Sequence, residues 1–132
     1  MKSISIFVAD LRGGGAERVM VTLANELANC GYRVDLLLLN AEGPYLSEVS
    51  NRVEIVELKA NRAIYSIFKI ARYLRVKQPN AVLATQSHIN LVLLLAKIIA
   101  IIVTMISKKP LKDSSLINFK NELTILTFFS FL

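Results

Sequence analysis

The chain has 132 residues, about one domain's worth, which leaves no room for a two-domain enzyme. Lys plus Arg number 16 against 10 Asp plus Glu, a net charge of +6, and 54% of the residues are apolar, so a disordered chain is excluded. With a single Cys30 and a single His88, an internal disulfide framework and a zinc site built from several cysteines or histidines are excluded too, and a reducing, cytoplasmic setting is the simplest expectation.

The opening MKSISIFVAD carries an apolar run that ends at Asp10 and Arg12. An export signal needs about 7–15 apolar residues followed by a small-residue cleavage site, so a buried strand over Ser3 to Ala9 is the better expectation. The Gly13-Gly14-Gly15 turn follows. From Ala16 the apolar positions Val19, Met20, Leu23, Ala24, Leu27 and Ala28 fall at helical spacing, and Gly31 stands where a glycine would close that helix. Arg33 to Leu39 reads as a second strand, closed by Asn40 and a Gly43-Pro44 turn, and Val53 to Leu58 as a third. Ile64, Ile67, Phe68, Ala71 and Leu74 form one helical stripe, which Gln78-Pro79-Asn80 stops because proline disfavours helical conformation in the residue before it. Ala81 to Thr85 is a fourth strand. This alternation predicts βαβ units: an α/β, Rossmann-like parallel sheet with helices on both faces.

Residues 89–106 are mostly apolar and reach the length of a membrane-spanning candidate. Against a span, Lys97 stands mid-stretch, at a cost of about 2.5–3.5 kcal/mol at a helix centre. The β-branched cluster Ile101-Ile102-Val103-Thr104 also favours a strand. The expectation is a buried helix to about Ile99 and a fifth strand over Ile101 to Met105, with a membrane span as the alternative. Residues 107–132 depart from the pattern, with a polar opening and a phenylalanine-rich end at Phe128, Phe129 and Phe131, and read as an atypical tail, out of frame or disordered.

The strongest local signal is ADLRGGGAERVM, residues 9–20. Strand, glycine turn and helix together aim backbone N–H groups and the positive end of a helix dipole at an anion. A tight turn that needs glycine only for its backbone angles accounts for the same residues. Two phosphate fingerprints fail: no Gly-Lys-Ser/Thr triplet occurs, and Arg18 stands where a dinucleotide fold has its third glycine. Asp35 is at the right distance for a ribose-binding acid but near the start of its strand.

The stretch LRGGGAERVMVTLANELANCGYRVDLLLL resembles the opening of glycosyltransferase family 4, retaining enzymes of the two-domain GT-B architecture. The family's GGxE-type turn is matched by Gly14-Gly15-Ala16-Glu17-Arg18, and its glycine step into the second strand by Gly31-Tyr32-Arg33-Val34; the element order holds to about Ala100. The resemblance implies that residues 1–106 are the N-terminal, acceptor-side domain of an enzyme that moves a sugar from a nucleotide-sugar donor to a polysaccharide or lipid-linked acceptor. It places Gly14, Gly15, Glu17, Arg18 and His88 at the substrate cleft, although a lone histidine is more often structural or merely exposed. It also implies that the fold is incomplete: the donor-binding domain and its paired glutamates are not encoded here, so a nucleotide-sugar is expected only with the full-length enzyme. Asp113 and Glu122, the only acids after Glu57, do not replace that pair. Transfer by this chain alone is not expected, and a separately encoded donor domain is a conceivable partner.

Arg62, Lys69, Arg72, Arg75 and Lys77 fall in a segment without acids. Basic amphipathic helices dock on anionic membranes, which suits a peripheral location on the inner membrane face; a solvated charged face fits equally well. Nucleic acid is not an expected partner, since no aromatic stacking motif accompanies the charges. A small membrane-associated protein or a non-catalytic subunit is the alternative function.

Overall fold

A computed structural model describes residues 2–84, 87–106 and 124–127. In chain order the elements are β1 (Ser3–Val8), α1 (Gly15–Asn29), β2 (Arg33–Leu38), β3 (Val53–Glu57), α2 (Ile67–Lys77), β4 (Ala81–Ala84), α3 (Ser87–Ile106) and β5 (Thr124–Thr127). The strands make one sheet in the order β3-β2-β1-β4-β5, and every pair is parallel. β1 and β2 lie inside the sheet and are covered on both faces, which is why their sequences run as unbroken apolar stretches rather than alternating: Ile6, Phe7, Val8, Leu36, Leu37 and Leu38 are all buried. The α/β fold with helices on both faces is the one the periodicity predicts.

α1 covers one face, packing Met20, Val21, Ala24 and Ala28 against Ile6, Val8, Leu36 and Leu38. α2 and α3 lie side by side on the other, with Ile70, Leu74, Leu93 and Ala96 over Phe7, Leu37 and Val82. The division follows from handedness. The chain moves one way along the sheet from β1 to β2 and the opposite way from β3 to β4 to β5, and right-handed crossovers then place α1 on one side and α2 and α3 on the other. α1 ends as expected at Gly31 (φ +88), where the Gly31 and Tyr32 amides donate to the carbonyls of Ala28 and Leu27.

Three expectations are corrected. Val19 is exposed and Val21 takes its place in the core of α1. In α2 the buried face is Ile67, Ile70, Ala71, Tyr73 and Leu74, whereas Ile64 and Phe68 are exposed. Ala63–Ser66 winds as a 3₁₀ turn, so Ile64 does not share the phase of the α-helix, and Phe68 lies about 100° round from Ile67. The third correction concerns Ile101 to Met105, which continue α3 as helix instead of forming a strand. Val92, Leu93, Ala96 and Ala100 keep helical spacing against the core, and that packing overrides the β-branched preference. The fifth strand is Thr124–Thr127, beside β4; it falls within the stretch read as a tail, most of which lies outside the described residues. Among the described residues no helix is long and apolar enough to cross a membrane.

Candidate functional site

In an open parallel sheet, ligands bind beyond the carboxyl ends of the strands, where the chain's direction along the sheet reverses. Here that point lies between β1 and β4, neighbours in the sheet whose crossovers run to opposite sides. The glycine turn leaves β1 and α3 begins just beyond β4, so Gly14, Gly15 and Glu17 approach the crevice from one strand and His88, in the first turn of α3, from the next. The His88 side chain lies outside the described residues.

The glycine turn is held from behind. Asp10 accepts a hydrogen bond from the Arg12 amide at 3.1 Å, and the Arg12 guanidinium reaches across to Glu42 at 2.8 Å. The Leu11 amide donates to the Glu42 carbonyl at 2.9 Å while the Leu11 side chain is fully buried. Gly43 makes this junction possible. Its φ is +120, and a Cβ there would overlap the backbone of Leu11 and Arg12. The sequence marks Gly43-Pro44 as a turn but does not reveal the loop it turns against, nor that Arg12 and Glu42 meet there.

Gly14 caps α1 without a side chain, in extended conformation. A Cβ on Gly14 would overlap the Glu17 carboxylate, which folds back over the start of the helix, whereas Gly15 has open space around it. Glu17 in the first turn thus places the chain's own negative charge at the positive end of the α1 dipole. Arg18 shares with Gly15 a surface on the outer side of α1. It is exposed and lines a shallow recess of about 460 Å³ along the outer side of α1 with Val19, Thr22 and Glu26. Among the described residues no group of acids, cysteines or histidines could hold a metal ion.

The basic residues of α2 divide into two sets. Lys69 Nζ donates to the carbonyls of Leu58 and Lys59 at 2.5 and 3.2 Å, pinning the exit of β3, and Lys77 pairs with Glu54 at 3.0 Å. Hydrogen bonds from Lys77 and Arg33 hold the Glu54 carboxyl below its usual range. The side chains of Arg62, Arg72 and Arg75 are exposed and make no hydrogen bond or ion pair among the described residues.

Asp35 belongs to a different part of the molecule. It is the third residue of β2, near the amino ends of the strands, and is buried. Tyr73 Oη donates to Asp35 Oδ2 at 2.5 Å and lies 2.8 Å from Ser5 Oγ. Burial, reinforced by the hydrogen bond to Asp35, pushes the Tyr73 phenol well above its usual range. Asp35 Oδ1 has no hydrogen-bond partner among the described residues, its nearest cation being Arg33 Nε at 3.8 Å. This network ties α2 to the sheet and takes no part in the crevice.

Residues 13–106 match the sequence model of the family described as Glycosyltransferase Family 4. Over 70 residues the chain is 36% identical to the amylovoran biosynthesis glycosyltransferase AmsD of Erwinia amylovora, a match that covers 53% of this chain and 20% of that protein. The chain therefore spans about a fifth of the length of the curated relative it matches.

Proposed function

Because the chain belongs to glycosyltransferase family 4, we propose that residues 1–106 supply the acceptor-side domain for transfer of a sugar from a nucleotide-sugar to a polysaccharide or lipid-linked acceptor. The observation that carries this reading is the position of the glycine turn and the start of α3 at the carboxyl ends of adjacent strands β1 and β4. The chemistry of the turn favours acceptor over donor. Sugar hydroxyls both donate and accept, so a polyol can use the amides of the first turn of α1 and the Glu17 carboxylate together. A donor phosphate would have to displace that carboxylate, since like charges at one helix end repel. On this reading residues 1–106 bind the acceptor, and transfer itself needs a donor-binding domain beside them.

Titration of the isotopically labelled chain with an oligosaccharide acceptor, and separately with a nucleotide-sugar, tests the proposal. The expected result is amide shifts at Gly14, Gly15 and Glu17 with the oligosaccharide, weakened in Glu17→Gln. Shifts there with the nucleotide-sugar alone, or with neither ligand, would overturn it.

A further inference from the structure

β3 is the last strand on its side of the sheet, and among the described residues no strand lies beyond it. It reads Val53-Glu54-Ile55-Val56-Glu57. The Leu58 amide donates to the Leu38 carbonyl at 2.8 Å, so alternation along the strand turns the backbone groups of Glu54 and Val56 toward β2 as well. The amides and carbonyls of Ile55 and Glu57 then point away from the sheet, where a further strand would take them up.

An edge of this kind is usually guarded by a proline, a bulge or a free charge. β3 has no proline, and its register with β2 runs unbroken from Val53 to Glu57. Its two charges are engaged elsewhere. Glu54 is held by Arg33 and Lys77, and Glu57 accepts a hydrogen bond from the Ala41 amide at 3.0 Å. Between them Ile55 is 41% exposed. On the opposite face α2 stands back from the edge, leaving a groove of about 500 Å³ beside Val56, Tyr73 and Val76. A neighbouring strand therefore meets neither a bound charge nor a covering helix.

We propose that β3 is a dimerisation edge, which pairs antiparallel with β3 of a second copy about a two-fold axis through Ile55. The register is what selects a second copy. Ile55 lies opposite itself, and its outward amide and carbonyl exchange two hydrogen bonds with those of the copy. Val53 lies opposite Glu57 and Glu54 opposite Val56, so no glutamate directly faces another, the pairing that opposing strands disfavour. An axis through Glu54 would set its carboxylate against its own copy, and one through Val56 would shorten the overlap. A two-fold contact closes on itself and does not propagate. It joins two five-stranded sheets into one and leaves each crevice free, because β1 and β4 lie inward of β2. The strands run in opposite directions across the axis, so the two crevices open at opposite ends of the joined sheet.

The dimer does not depend on the proposed function, and sedimentation equilibrium of the full chain over a concentration series tests it. So short a contact makes a weak dimer, and the expected result is a reversible monomer–dimer equilibrium. Ile55→Pro removes the outward donor while the bonds to β2 remain, at an edge position where sheets accept proline. Ile55→Lys sets two like charges opposite each other. Each should weaken association by about tenfold or more, with circular dichroism unchanged. A cross-link reports the register itself. In Cys30→Ser/Ile55→Cys, which first removes the exposed native thiol, oxidation should join the two copies. The Cα atoms of a hydrogen-bonded antiparallel pair stand about 5.5 Å apart, within the span of a disulfide. A monomer at every concentration, a dimer that neither Ile55→Pro nor Ile55→Lys weakens, or one that Ile55→Cys does not cross-link would each overturn the proposal.

Discussion

Tyr73 turns its hydroxyl into the interior of the α2 side of the sheet, where Ser5 and Asp35 meet it. Its removal exposes the cost of a buried carboxylate. In Tyr73→Phe, Asp35 Oδ2 loses its donor while Oδ1 already has none among the described residues, so unfolding in urea should show a loss of about 1–3 kcal/mol. The pH dependence follows from the same group. A phenol whose pKa is raised on folding binds its proton more tightly in the native state. It therefore contributes stability below its ordinary pKa of about 10 that is lost as pH rises past it, and the parent chain should destabilise more steeply above that pH than Tyr73→Phe does. Gly43 gives a second prediction. Gly43→Ala forces a Cβ onto the Leu11 backbone at a positive φ, and its thermal unfolding should reveal a loss of about 1–3 kcal/mol. Neither role was legible from the sequence. Asp35 was recognised as standing at the wrong end of its strand for a ribose, but nothing local links it to Tyr73, 38 positions away. Asn25, mid-helix in α1, likewise bonds the Glu48 carbonyl and the Ser50 amide, contacts that only the folded chain brings together.

At the scale of elements, what the sequence made legible is what the chain determines locally. Gly31 ends α1 because its amide and that of Tyr32 close the last turn at φ +88, a conformation that side chains oppose. Gly31→Ala should cost about 1 kcal/mol in a denaturant titration with little change in the circular dichroism spectrum. Pro79 stops α2 as read, with Gln78 in the left-handed region before it. The misplacements occur where tertiary packing decides. The start of α2 slips because Ala63–Ser66 winds more tightly than an α-helix, and the end of α3 is kept helical by Ala96 and Ala100 against α2 and the sheet. The β-branched run at Ile101–Ile102–Val103 carries a strand preference that its partners do not use.

For the molecule as a whole, the alternation of strands and helices was sufficient to predict the parallel sheet, and the glycine turn falls between β1 and α1 as its residues indicate. Strand order was not written in any single segment. It emerges from handed crossovers, which place β4 beside β1 and so bring the start of α3 to the glycine turn. The separation of acids from the α2–α3 layer was visible as an acid-free span, but which side of the fold it would cover depended on the same crossovers.

The central position of β1 has a consequence for synthesis. β1 pairs with β2 on one side and with β4, residues 81–84, on the other. An early β1–α1–β2 unit can form as soon as residue 38 has emerged, but the second edge of β1, Ser3 to Val8, stays uncovered until more than forty further residues have been made. During that interval the nascent chain displays an apolar strand with unpaired backbone groups, the kind of edge that recruits other chains. Its folding is thus bound to the pace of translation through α2, and a pause before β4 would prolong the one state in which this sheet is open at its centre.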